Sequence, residues 1–155
     1  MLFDRTYKYK SRLSSDAIKE KLLGKRIQIH KLDFEFQERD NKLKVIPHAE
    51  DAQGLKTLPI THLDFMGSAD NTYVKMHSKP RKIDIGGPYV LVTFCIFICL
   101  GAIGLYFFQP NQGMLVPIIM GGIGLLVFAV FWIKMQAGYF DYIRKIKTYV
   151  KQNIN

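Results

Sequence analysis

The sequence predicts an α+β fold: a small soluble domain, then a two-helix transmembrane hairpin and a basic amphipathic C-terminal helix. The hairpin is predicted because Ile85 to Ile133 contains no Lys, Arg, Asp, Glu or His, and a mid-membrane charge costs about 2.5 to 3.5 kcal/mol even on a lenient insertion scale. Strand-like alternation precedes this stretch and helical periodicity follows it. We therefore divide the chain into a soluble domain (1–86), a hairpin (88–135) and a C-terminal helix (136–155).

The first elements are a strand and a short helix. Tyr and Lys alternate from Thr6 to Lys10, which predicts a strand whose lysines suit the edge of a sheet. Ser14 or Ser15, followed by Asp16, offers an N-cap for a helix of two or three turns that Gly24 ends. So short a helix is stable only when it packs on another element.

Two features predict the next strands. The apolar alternation changes phase near His30, with Ile27 and Ile29 on one side and Leu32, Phe34 and Phe36 on the other. A β-bulge or a break between strands explains such a change, and both remain open here.

Asp40 and Asn41 then form a candidate two-residue hairpin turn. Pairing Arg39 with Lys42 sets Phe36 opposite Val45, which supports that register.

Three further strands are predicted as an antiparallel meander after a polar loop at 48–56: Leu58–Phe65, Thr72–His77 and Lys82–Gly86. If Phe65 pairs with Thr72 and Met76 with Ile83, the apolar side chains share one face: Leu63, Phe65, Val74, Met76, Ile83 and Ile85. The domain then has one short helix and about five or six strands.

The opposite face of the meander forms a candidate polar surface of His62, Asp64, Tyr73, Lys75, His77, Lys82 and Asp84. An ordinary solvated face explains these residues most simply, because opposite charges commonly neighbour each other on a sheet. A partner or lipid-headgroup contact is the second interpretation, and acid and base catalysis is the third. No catalytic residues, cofactor or metal site are assigned, since glycine-rich phosphate loops, GxSxG and HExxH are absent from the sequence.

The hairpin has predicted spans Pro88–Phe108 and Met114–Ile133, joined by the polar turn 109–113. Gly101 and Gly121 lie at the same depth of the two spans, each ten residues from Asn111 in the turn, and Gly104 and Gly124 are further candidate packing residues. Close packing within the hairpin is the favoured interpretation, and a surface for self-association or for a partner helix is the alternative. Cys95 and Cys99 fit small-residue packing better than a metal site.

The C-terminal segment repeats apolar residues at helical spacing: Phe140, Ile143, Ile146, Val150 and Ile154. Its other faces carry candidate membrane-surface basic residues: Arg144, Lys145, Lys147 and Lys151. Such a helix either lies among lipid headgroups, which we favour, or packs on the soluble domain. Gly138 is where the chain could bend.

The net charge of +9 lies on both sides of the hairpin. The positive-inside rule therefore predicts cytoplasmic N- and C-termini, with the loop 109–113 on the far side. Nothing at the start of the sequence looks like a signal peptide. The layout resembles that of small bacterial membrane proteins with an α+β module before two spans, which implies a bacterial inner membrane.

These features favour a non-enzymatic accessory or scaffold subunit of a membrane assembly. Its expected partners are the lipid bilayer and either a membrane protein or a second copy of the chain. Nucleic acid is not expected, because membrane topology explains the clustered positive charge more simply. The alternatives are an anionic-lipid-binding or membrane-surface sensing module and an enzyme acting on a membrane-proximal phosphate ester. The sequence names no substrate or partner.

Overall fold

The computed structural model describes residues 2–30, 32–39, 42–48, 57–68, 71–108 and 113–154. Within these ranges the fold is α+β, as predicted, with an antiparallel sheet and four helices. In chain order the elements are β1 Arg5–Ser11, α1 Ser15–Leu22, β2 Arg26–Ile29, β3 Leu32–Arg39, β4 Lys42–His48, β5 Pro59–Ser68, β6 Asn71–Pro80, α2 Gly86–Phe108, α3 Leu115–Ala137 and α4 Tyr139–Ile154.

The chain forms two compact units. The first, here called the sheet unit, combines Met1–Arg81 with Gly138–Asn155, and the second, the hairpin unit, is Lys82–Ala137. The sheet unit thus contains α4, whereas the sequence predicts a domain over 1–86 and a separate C-terminal helix over 136–155.

The sheet has six strands in the order β1-β6-β5-β4-β3-β2, and each pair of neighbours is antiparallel. β1 is an edge strand, as predicted. The predicted strand Lys82–Gly86 is wrong: Lys82 to Asp84 form a turn, and Ile83 is 82% exposed. β6 continues to Pro80, and its second edge pairs with β1. A strand at Lys82–Gly86 therefore has no edge of β6 with which to pair.

The hairpin of β3 and β4 has the predicted register. Arg39 pairs with Lys42 and Phe36 with Val45, while the predicted turn residues Asp40 and Asn41 lie outside the described residues. The change of phase upstream is a break between strands, because Ile29 pairs with Leu32 across a turn. His30 in that turn has φ 57°, a left-handed conformation that few non-glycine residues adopt.

β5 and β6 pair two residues away from the predicted register, since Phe65 faces Val74 and not Thr72. A shift of two residues preserves the face of every side chain. Leu63, Val74 and Met76 are accordingly buried, as the apolar pattern predicted. Of the predicted loop 48–56, His48 belongs to β4 and the rest lies outside the described residues.

α1 begins as the sequence predicts. The Ser14 hydroxyl accepts a hydrogen bond from the Ala17 amide at 3.3 Å, and Ser14 is the N-cap. Gly24, with φ +70°, follows the helix in a conformation that suits glycine. Ile18 and Leu22 are fully buried, so the helix is held by packing rather than by its own propensity.

α4 covers the core, which corrects the favoured placement of its apolar face among lipid headgroups. The buried residues of α4 are Tyr139, Phe140, Tyr142, Ile143, Ile146, Val150 and Ile154. Its rings pack on the sheet, with Tyr142 5.4 Å from Phe34 and Tyr149 5.8 Å from Phe36 between ring centroids. The physical reason is area: α1 spans only 8 residues and cannot cover the apolar face of six strands alone.

Both ends of α4 are tied to the start of the chain. The Tyr139 hydroxyl donates to the Phe3 carbonyl at 3.0 Å, and the Ser11 hydroxyl donates to the Ile154 carbonyl. Arg5 also lies over the Phe140 ring at 4.5 Å. These bonds join the N- and C-terminal segments into one folded unit.

The hairpin unit consists of α2 and α3, each 23 residues long and apolar enough to cross a membrane. At ~1.5 Å per residue each is roughly 34 Å long, against a hydrocarbon core of about 30 Å. The helices are antiparallel, because Gly101 lies against Met120 whereas Gly124 lies against Ile98. α2 begins two residues before the predicted span and ends with it, whereas α3 begins one residue after the predicted start and continues four residues beyond the predicted end. Of the predicted turn, Gly113 has φ +78°, and residues 109–112 lie outside the described ranges.

Candidate functional site

The outer face of the sheet, opposite α1 and α4, carries an open polar groove of about 570 Å³. We call it the lysine groove and define it by its lining residues on β1, β4, β5 and β6: Thr6, Lys42, Lys44, His62, Asp64, Lys75, His77 and Lys79.

Strand alternation and register bring these residues together. Their neighbours along the strands, such as Leu43, Leu63 and Met76, are fully buried on the inner face, so the polar side chains point outward. Lys44 pairs with His62, His62 with His77, and His77 with Thr6, which forms one row across four strands. A second row sets Asp64 opposite Lys75 and Lys75 opposite Lys8.

Positive charge is in excess among the described residues that line the groove. Four of these residues are lysines, and Asp64 is the acidic one. That carboxylate lies 3.0 Å from the Lys42 ammonium, which neutralises it. Asp4 borders the groove, with its carboxylate 4.0 Å from His77 Nε2. Lys8 and Lys75 are direct cross-strand partners, a like-charge arrangement that destabilises a sheet.

Neutral hydrogen-bonding groups lie among the lysines. His77 Nδ1 and the Thr6 hydroxyl are 2.9 Å apart. Burial lowers the pKa of His62, and the charges of Lys79, Lys44 and His77 lower it further, against a weaker opposite effect of Asp64. His62 is therefore neutral at pH 7. Its Nε2 is buried and has no hydrogen-bond partner among the residues that the structure describes.

The structure brings together most of the candidate polar surface. His62, Asp64, Lys75 and His77 line the groove, and Tyr73, 54% exposed, lies on the same face of β6. The other two, Lys82 and Asp84, are in the turn after β6 and belong to the hairpin unit, so they are not part of the sheet.

Sequence reasoning missed four residues of the groove: Thr6, Lys42, Lys44 and Lys79. Lys42 and Lys44 alternate with the buried residues Leu43 and Val45, so their outward direction could be read from the sequence. The local sequence pattern does not show which strands are neighbours in the sheet. Placing Thr6 requires β1 to pair with β6, and that pairing joins segments about 70 residues apart.

Comparisons with protein-family models, with curated proteins and with solved structures gave no match.

The predicted membrane-surface basic residues of α4 are partly engaged within the sheet unit. Asp141 lies 3.4 Å from Arg144 and 3.1 Å from Lys145, and it is hydrogen-bonded to His30 Nε2 at 2.7 Å. The His30 hydrogen bond lowers the pKa of Asp141, burial opposes it, and Lys145 and Arg144 reinforce it. These contacts fasten α4 to the turn between β2 and β3.

The remaining two basic residues differ in environment. Lys147 lies over the Tyr7 ring, 4.4 Å from the ring centroid, whereas Lys151 is exposed. Three of the basic residues of α4, Arg144, Lys145 and Lys151, are thus exposed, whereas Lys147 packs on β1 and the apolar face of the helix is covered by the sheet.

Three of the four predicted packing glycines lie at the interface of α2 and α3. A Cβ atom on Gly124 would be 3.0 Å from Ile98 Cγ2 and 3.2 Å from Cys99 Sγ, and one on Gly121 would be 3.7 Å from Ala102. A Cβ atom on Gly101 would meet the flexible end of Met120 at 2.7 Å, whereas Gly104 has open space. Close packing within the hairpin unit therefore depends most on Gly124, where an added Cβ atom would be closer to the opposing helix than an ordinary van der Waals contact.

Proposed function

We propose that this chain is a membrane-anchored, non-enzymatic accessory or scaffold subunit. In this proposal α2 and α3 cross the bilayer, and the sheet unit is displayed at the cytoplasmic surface for contact with a membrane protein partner. The bilayer is that of a bacterial inner membrane, where the positive residues flanking the hairpin favour the cytoplasmic side.

The observation that carries the proposal is that the sheet unit is assembled from both flanks of the hairpin. Residues before α2 supply the sheet, and α4, which follows α3, supplies much of its core. Such a unit can fold only if both flanks are in the same compartment. An even number of crossings satisfies this condition, and two apolar helices provide it.

The surface of the hairpin unit supports insertion in lipid. Large apolar side chains on both helices are solvent-exposed, including Phe97 at 68% and Leu125 at 65%. Patches of this extent on a water-soluble protein mark interaction or membrane surfaces. Since a two-helix hairpin leaves most of its surface unpaired, the same faces are available to a partner helix or to a second copy of the chain.

An anionic-lipid-binding module is the second candidate function, and the lysine groove is the observation that favours it. The apolar face of α4 gives this alternative no support, because the sheet buries it.

Purification of the tagged full chain in mild detergent tests the accessory role. We expect a membrane protein to co-purify in a fixed stoichiometry, measured by mass spectrometry and by native mass. A monodisperse protein without a partner, which binds anionic liposomes in a salt-sensitive manner, would contradict the accessory role and support the alternative.

The comparison variant is the full chain carrying Ile146→Asp, which disrupts the sheet unit by placing a charge on the buried face of α4. If the sheet unit holds the partner, this variant should reach the membrane without it. Equal recovery of the partner with the variant would assign the contact to the hairpin instead.

A further inference from the structure

We propose that the lysine groove is a binding site for a phosphate group. The proposal goes beyond the anchoring role, and it is independent of that role because every lining residue belongs to the sheet unit.

Positive charge on the outer face of the sheet favours an anion. Lys75 and Lys79 line the groove on β6, and Lys8 on β1 is the direct cross-strand partner of Lys75. Asp64 is the acidic residue among the described lining residues, and its carboxylate is paired with Lys42. The like charges of Lys8 and Lys75 destabilise the sheet, and a bound anion would relieve their repulsion.

The donors of the groove suit a phosphate group. Lysine is a common phosphate ligand that acts as a mobile point charge, and flexible lysine stems can adjust to one anion. The Thr6 hydroxyl and the His77 imidazole add short-range hydrogen-bonding groups between the lysines. A phosphate group accepts several hydrogen bonds at once and so uses both kinds of donor.

The size of the groove suits a phosphate group. The groove spans β4, β5, β6 and β1, which at about 4.8 Å between strands is roughly 14 Å. Its volume of about 570 Å³ is open to solvent on one side. One or two phosphate groups fit this width.

The test is calorimetric titration of inorganic pyrophosphate into the purified full chain in a neutral detergent at fixed ionic strength. We expect saturable binding to one site, weakened about tenfold or more by Lys75→Gln combined with Lys79→Gln. Both residues are on β6, and their removal lessens repulsion, so the thermal midpoint should not fall.

The control is Lys21→Gln combined with Lys25→Gln, which changes the net charge equally at two exposed positions near α1. We expect this control to alter the affinity by less than about twofold. Absence of saturable binding would overturn the proposal, and so would an equal loss in both double variants.

A second titration distinguishes the source of the phosphate. Dihexanoyl phosphatidylglycerol, added at a concentration below its own micelle formation, should displace pyrophosphate in a lysine-dependent manner if the natural ligand is a lipid headgroup. Retention of pyrophosphate binding in its presence would support a free phosphate compound. Failure of either titration leaves the partner purification unaffected, so the two proposals fail separately.

Discussion

Ile146→Asp is expected to unfold the sheet unit. Ile146 is fully buried within the apolar face of α4, next to the equally buried Ile143 and Val150. An unpaired carboxylate there costs several kcal/mol, a large part of the about 5 to 15 kcal/mol that stabilises a typical domain. Pulse proteolysis across a urea series should show cleavage of strand segments at low urea in the variant.

Thr148→Asp is the matched control, because it adds the same charge to an exposed position of the same helix. Its free energy of unfolding should stay within about 0.5 kcal/mol of that of the unsubstituted chain. If Ile146→Asp were as stable as this control, α4 would not be part of the core, and the apolar face would be free to enter a membrane surface.

Gly124→Leu is expected to separate α2 from α3. The Cβ atom alone would lie 3.0 Å from Ile98 Cγ2 and 3.2 Å from Cys99 Sγ, and both neighbours are held on the opposing helix. Overpacking of this kind costs about 1 to 3 kcal/mol. Thermal unfolding in detergent, followed by the emission of Trp132 on α3, should show a lower midpoint.

Gly122→Leu is the control for that substitution. It adds the same side chain to α3 two residues away, at a position where a Cβ atom meets nothing within 4 Å. The midpoint of this control should remain near that of the unsubstituted chain. An equal loss in both variants would show that glycine matters for the helix itself rather than for its packing.

Local patterns in the sequence predicted several elements correctly. The N-cap at Ser14, the pairing of Arg39 with Lys42 and the two apolar helices each depend on residues close together in the chain. Capping, hairpin register and hydrophobic length are local properties, so the sequence carries them directly.

Local patterns could not predict which segments pair when they are far apart in the chain. The strand predicted at Lys82–Gly86 would have to pair with the edge of β6 to which β1 is hydrogen-bonded. β1 pairs with that edge over seven residues. The placement of α4 is another case. Its amphipathic pattern fits a lipid surface or a sheet equally well, and the choice depends on how much apolar sheet α1 leaves uncovered.

The candidate site shows the same difference between local and long-range pairing. His62, Asp64, Lys75 and His77 were found because β5 and β6 form a local hairpin. Lys42 and Lys44 were missed because β4 joins β5 only across the segment 49–56, and Thr6 because β1 lies far away in the chain.

Cysteine accessibility in intact cells tests most directly whether the hairpin crosses a membrane with both flanks on one side. Single cysteines would replace Met114, next to the predicted turn and 62% exposed, and Lys8 and Lys151, on the two flanks. The unsubstituted chain, whose Cys95 and Cys99 both lie in α2, is the blank. A membrane-impermeant maleimide should label Met114→Cys in intact cells, and Lys8→Cys and Lys151→Cys only after permeabilisation. Labelling of either flank from outside, or protection of Met114→Cys until permeabilisation, would contradict the account.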